Sequence, residues 1–261
     1  MTNTSTLSVD IRLAITLLTP ACVGAAGSGG GIADKTLLRD GWNRPIIPGS
    51  QLKGRVRHAC ERIAAALGQP ICGAPYAEAM CPHTTEIKRL SREPLDLMRG
   101  PGARPQCAVC AIFGSALYPS PLMFSDLIFT PATIPTQAIA ATRPAHLPPV
   151  PLSPVPAAER VRPGIAIDRR RRTVQEEVLY LTETTDAGEV FRGAIRGQWR
   201  ATPAAEARSL VALLVAGIQQ TTRWGGGSSR GLGWASVQLE QLTIDGVDTR
   251  AAALLEEVQR L

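Results

Sequence analysis

Two stretches of helical periodicity, each flanked by stretches of strand-like alternation, constrain the fold of this 261-residue chain more than any other feature. In "PGSQLKGRVRHACERIAAALG", Leu52, Val56, Ala59, Ile63 and Leu67 recur at helical spacing. Ser50 is a suitable N-cap, which predicts a helix from about Gln51 to near Gly68. The second stretch, Pro203 to Thr221, is "PAAEARSLVALLVAGIQQT". Leu7 to Thr19 and Pro121 to Pro131 read as strands, and "TVQEEVLYLTET" and "EVFRGAIRGQWRA" as a hairpin turning near Asp186 to Gly188. A last strand follows "RWGGGSSRGLGW". Strand, helix, strands, helix, strand is the order of an α+β, ferredoxin-like fold, shared with RNA-recognition (RRM-like) domains. The expected organisation is one unit over 1–261, with insertions at about 69–114 and about 131–175.

The hydrophobic content of 44% suffices for a core. The net charge is +6, and of the 28 basic residues only Lys35, Lys53 and Lys88 are lysine. Arginine forks bind phosphate bidentately and stack on bases, so the bias suits nucleic acid, although a GC-rich genome produces it too. The sequence has no apolar run long enough to span a bilayer, and "MTNTSTLSVDIRLAI" lacks the pattern of a signal peptide. The expectation is a cytoplasmic protein without a membrane partner, whose six cysteines are free thiols or metal ligands rather than disulfides.

Three features could carry chemistry. The segment 223–234 holds five glycines and two serines between Arg223 and Trp234, freeing backbone N–H groups to form an anion nest. Its Gly-Ser-Ser-Arg-Gly has the spacing of a hydrolase elbow but runs from helix to strand, the reverse of what an elbow needs. Cys107 and Cys110 have the two-residue spacing of a zinc chelate, which Cys72 and Cys81, or His83, would complete as a closed structural site. Cys22 and Cys60 lack such spacing and read as buried small residues. Among the acidic residues, Asp34 and Asp40 fall in turn-rich loops and Asp126 in a strand, and spacing makes none of them catalytic. The start of the first helix, with Lys53, Arg55 and Arg57, is compatible with an ordinary surface helix and with a phosphate seat.

The blocks "IADKTLLRDGWNRPIIPGSQLKGRVR", "CAVCAIFG", "FSDLIF" and "GGGSSRGLGW" together resemble the hallmark segments of the RAMP superfamily, in particular the backbone subunit of type III CRISPR effector complexes. The resemblance runs from the first strand to the last and is weak in the proline-rich region. It implies a ferredoxin-like palm and copies stacked along a guide RNA with other subunits. It also implies a thumb that pushes into the guide–target duplex, and metal-dependent cleavage of target RNA, magnesium being one such ion. Asp34 falls where cleaving members carry their catalytic aspartate. Ser50, Lys53 and Arg57 match guide-backbone contacts, and Arg223, Gly226, Gly227, Ser228 and Arg230 lie in or beside the glycine-rich loop. Arg169 and Arg170 would contact RNA at the thumb base. Some members only scaffold RNA. Outside the family, a zinc-stabilised protein-interaction domain without RNA is the competing reading, and salt-dependent RNA binding separates it.

Overall fold

The computed structural model of the chain describes residues 6–24, 33–74, 76, 79–81, 106–116, 118–131, 160–200 and 202–258, the side chains of 176–178 excepted. Its centre is β1, Leu7–Leu17. The alternation read in the sequence puts Leu7, Val9, Ile11, Leu13, Ile15 and Leu17 on one buried face. β1 pairs antiparallel with β7 (Val190–Trp199) on one side and β8 (Ala235–Ile244) on the other. The register sets Leu7, Ile11 and Ile15 opposite Trp199, Ile195 and Phe191, so the two apolar faces coincide.

The main sheet runs β2-β4-β7-β1-β8-β9, with β3 (Leu122–Phe124) also on β7. β2 is Ile46–Ile47, β4 is Leu127–Thr130 and β9 is Val247–Asp248. Helix α1, Gly49–Ala66, leads from β2 towards the short α2, Ala108–Phe113. Helix α3, Ala204–Gln219, connects β7 to β8. Reduced to β1-α1-β3/β4-β7-α3-β8, the antiparallel order is the one expected of a ferredoxin-like core. A separate two-stranded sheet pairs β5 (Arg160–Asp168) with β6 (Thr173–Thr184).

Four local expectations are corrected. First, α1 begins at Gly49 with Pro48 as N-cap, so Ser50 lies inside the first turn and is exposed. The cap is supplied from elsewhere: Asp126 Oδ1 accepts from Gly49 N at 2.7 Å. Asp126 is accordingly not in a strand but in the two-residue break between β3 and β4. Second, Leu67 is not on the inner stripe; it is the C-cap and is 40% exposed. Third, β6 does not pair with β7. β7 fills the gap between β1 and β4, whereas β6 turns back on β5. Fourth, α4 (Ala251–Val258) was not anticipated. Its Leu254 and Val258 are buried in the core that includes α3, which explains why residues 210–218 of α3 are buried all round.

The strand positions on the face of the sheet opposite the helices carry no aromatic residue among β1, β3, β4, β7 and β8. Ion pairs occupy it instead, Asp10 with Arg196 at 2.9 Å and Arg192 with Glu240 at 2.7 Å. The strand order is that of an RNA-recognition domain, but the base-stacking platform is missing. No helix among the described residues is long and apolar enough to cross a membrane.

α1 and α3 meet where a Cβ on Gly217 would lie 2.3 Å from Cys60 Sγ and 3.3 Å from the Val56 carbonyl. Gly217→Ala should therefore lower stability by about 1–3 kcal/mol in denaturant titration. Adding Cys60→Ala should recover part of the loss. Strictly additive costs would show that the helices do not touch at this pair.

Candidate nucleic-acid interface and metal centre

The long glycine-rich loop after β1 is not free at its ends. Gly24 bridges Leu37, Leu38 N donates to Val23 O at 2.8 Å, and Lys35 forms a parallel bridge with Thr182 of β6. Residues 33–39 are thus laid along the base of the β5–β6 hairpin. A buried carboxylate fixes them there: Glu183 accepts from Leu37 N at 2.7 Å and pairs with Arg39 at 2.5 Å. Asp34 is exposed on this segment. Its Oδ2 accepts from Leu181 N at 2.7 Å, and its Oδ1 accepts from no group among the described residues.

One residue before Leu181, Tyr180 lies across Gly164 of β5, where a Cβ would come within 2.3 Å of the ring. Arg230, from the second glycine-rich loop, donates to the Tyr180 hydroxyl and sits 5.5 Å from its ring centroid. Two segments distant in sequence are therefore each held by β6, at the consecutive residues Tyr180 and Leu181. Burial raises the pKa of the Cys22 thiol beneath them, and the fields of Lys35, Glu183 and Arg230 all reach it. Tyr180, Arg39 and Glu183 escaped the sequence reading because each acts through a partner more than 40 residues away.

The loop carrying Arg230 is held by α1. Gln51 Oε1 accepts from Gly225 N at 3.2 Å and Arg55 Nη2 donates to Gly225 O at 2.8 Å. Gly225 and Gly233 have φ of 75°, and a Cβ on either would strike the carbonyl of Cys22 or Trp224. Gly226 N is spent on Cys22 O at 2.8 Å, so it is not part of an open nest. The N–H groups of Gly227, Ser228 and Ser229 have no partner among the described residues. Arg223 lies 4.3 Å over the half-exposed Trp234 ring.

Lys53 is half-buried, 5.9 Å from the Phe124 ring; burial and then the charge of Arg57 lower its pKa. Arg57 turns away from the loop, towards Glu61, Gly114 and Cys110. Arg169 and Arg170 are in the tight turn joining β5 to β6, where Asp168 Oδ1 accepts from Arg170 N at 2.9 Å. That is the tip of the hairpin and not its base, because the strands pair from Arg160/Thr184 out to Asp168/Thr173. Asp40 is a turn former, accepting from Trp42 N and Arg44 N at 3.0 and 2.9 Å. It presents Trp42, 80% exposed, under the Arg44 guanidinium.

The four cysteines converge. The Sγ atoms of Cys72, Cys81, Cys107 and Cys110 all lie within 4.8 Å of one another, and those of Cys72 and Cys110 are 3.4 Å apart. A tetrahedral zinc with bonds of about 2.3 Å separates its sulfurs by about 3.8 Å, so the set fits a closed site. Cys107 caps α2 and Cys110 lies in it, while Cys72 and Cys81 come from the stretch after α1. A helix of 6 residues does not hold on its own, and the cluster ties it to that stretch. The hydrogen bond from Cys110 holds Cys107 down at about 4, while that contact and burial push Cys110 up; burial raises Cys81 to about 11. Cys22 and Cys60 are buried singly, as expected. His83, the alternative ligand, lies outside the described residues.

The purified chain should hold about one zinc by elemental analysis, and Cys107→Ser or Cys110→Ser should lose it with local loss of structure. Protons compete for the thiolates, so retention should fall as pH is lowered. Folded, unchelated protein without zinc would remove the site.

No curated protein matches the chain. The RAMP superfamily model matches residues 14–236, from within β1 into β8, a span that contains the Asp34 segment, the four cysteines and the second glycine-rich loop. With most of its length matched, and with the core topology such proteins require, the chain belongs to the RAMP superfamily.

Proposed function

We propose that the chain is a guide-RNA-binding backbone subunit of a type III CRISPR effector complex that cleaves complementary target RNA through Asp34. RAMP proteins bind CRISPR RNA and the family includes ribonucleases. The observation that supports the reading is that Asp34 and Arg230 are both held on β6 at consecutive residues, Asp34 by Leu181 N and Arg230 by the Tyr180 hydroxyl. A carboxylate with one oxygen fixed by Leu181 N and the other available is suited to orient a ribose 2'-hydroxyl. Asp34 takes the 2'-hydroxyl proton as that oxygen attacks the adjacent phosphorus, forming a cyclic phosphate and breaking the bond to the 5'-oxygen, which takes up a proton from water. Arg230 would supply positive charge to the phosphate.

The only cluster of three or more metal-ligating side chains among the described residues is the cysteine set. Oδ1 of Asp34 would be the side-chain atom that holds a divalent ion such as magnesium, in place of direct contact with the 2'-hydroxyl, and the ion would supply charge to offset that of the phosphate.

Guide backbone would lie along Ser50 and Lys53 at the start of α1 and along Arg223, Gly227 and Ser228 of the loop that α1 holds. Gly226 supports the loop, and the arginine-rich hairpin tip, Arg169 and Arg170, would reach further RNA. The zinc is structural. The cytoplasm, further copies of the chain and other complex subunits complete the setting. A non-cleaving scaffold is the second reading, favoured by Asp34 being a single carboxylate.

Asp34→Ala should leave RNA binding and assembly intact and slow cleavage by orders of magnitude. Chelation of divalent ions and a 2'-deoxy residue at the cut should each reproduce the defect. Normal cleavage by the assembled Asp34→Ala complex would exclude the catalytic role. Lys53→Ala should weaken binding without sequence preference and lower the salt slope by about 1. An unchanged slope would return the helix start to an ordinary surface.

A further inference from the structure

The position of Arg57 in "SQLKGRVR" suggests a phosphate contact, yet all three of its guanidinium nitrogens are engaged inside the protein. Nε donates to Glu61 Oε1 at 3.0 Å, Nη1 to Gly114 O at 3.1 Å, and Nη2 to Cys110 Sγ at 3.5 Å. We infer that Arg57 belongs to the metal centre, where it neutralises and orients the cysteine cluster and joins it to the helix that carries the RNA-facing residues. The inference rests on the four-cysteine site taking a metal.

Four thiolates around one divalent zinc leave two negative charges, which need compensation in a half-buried site. A guanidinium supplies a permanent positive charge and a rigid fork. Here one tine meets a ligand sulfur and another meets the carbonyl that ends α2, Gly114, whose own N–H closes on Cys110 O at 2.8 Å. Arg57 thus grips both a ligand and the backbone that positions it. Outer contacts of this kind set ligand orientation and metal affinity. The same side chain is fixed to its own helix by Glu61, one turn on, so the clamp is rigid at both ends. Lys53 lies one turn before Arg57 on α1. Metal occupancy is therefore coupled through Arg57 to the seat of the basic helix start, and Arg57 serves RNA binding by position and not by contact.

The test uses the full chain loaded with one zinc, challenged with excess chelator while a chromogenic indicator reports release. Arg57→Gln should release zinc roughly 10–100-fold faster, and Arg57→Lys should fall between it and the unaltered protein. Arg62→Gln, an arginine change elsewhere on α1, should release at the unaltered rate. The cobalt-substituted Arg57→Gln protein should show a shifted thiolate charge-transfer band. While zinc remains bound, the salt slope of RNA binding should be unchanged. Release from Arg57→Gln at the unaltered rate would overturn the inference, as would a slope reduced by about 1 with normal zinc retention. If Arg57→Gln does not fold, Arg57→Lys decides by the same release measurement. Unaltered protein that holds no metal would remove the metal centre itself, whereas zinc-bound protein with indifferent Arg57 variants would remove only this role.

Discussion

Everything in the protein hangs on the pairing of β1 with both β7 and β8. Six alternate residues of β1, Leu7 to Leu17, form the floor on which the helical layer packs, and the strand has no free edge. Because side chains alternate, a slip of one residue on either side would turn this row to solvent, so the register is strongly specified. α1 and α3 follow from it, since each must cover part of the same floor and they meet closely at Cys60 and Gly217. The ends of β1 and β7 then determine where the loops emerge: Leu17 exchanges hydrogen bonds with Gly188 and Glu189, and the chain beyond it enters the segment that leads to Asp34.

The surface proposed to face RNA is built by loops strapped to rigid elements. The Asp34 segment is pinned by Glu183 of β6, and the second glycine-rich loop by Gln51 and Arg55 of α1. Each loop also buries side chains of its own, Ala33 and Leu37 in the first and Trp224 in the second. Backbone groups and a few charged side chains complete the hold, with Asp34 on Leu181 N and Arg230 on the Tyr180 hydroxyl. The cysteine cluster does comparable work beside α1, tying a 6-residue helix whose Val109, Ile112 and Phe113 are buried in the core to the stretch that carries Cys72 and Cys81.

The helices and long strands were legible because their periods are local properties. The cysteine set was legible from its spacing, and the three-dimensional convergence of Cys72 and Cys81 on Cys107 and Cys110 agrees with it. Two readings went astray for one shared reason, that a local signal was captured by a distant partner. Ser50 is a good N-cap by type, but Asp126 reaches Gly49 from another element. "TVQEEVLYLTET" and "EVFRGAIRGQWRA" look like neighbours across a turn, yet β1 competes successfully for β7 over ten residue pairs. Arg57 sits among basic residues, and its fork donates to Glu61 one turn on and to Gly114 and Cys110 more than 50 residues away. One signal was available and unread: the absence of a polar face on α3 calls for a further covering element, which α4 supplies.

By itself the sequence determined the element order, the apolar faces, the candidate metal ligands and the blocks that resemble RAMP proteins, because each is a pattern of residue types over short spacing. Only the tertiary structure decided which strand pairs with which, who caps α1, and that Asp34 and Arg230 are each held by neighbouring residues of β6. Those outcomes depend on competition between partners separated by 50 to more than 200 residues, from Tyr180 with Arg230 to Val9 with Ile244. The winner is set by which pairing lets the whole apolar floor be buried at once, and no window of sequence contains that information.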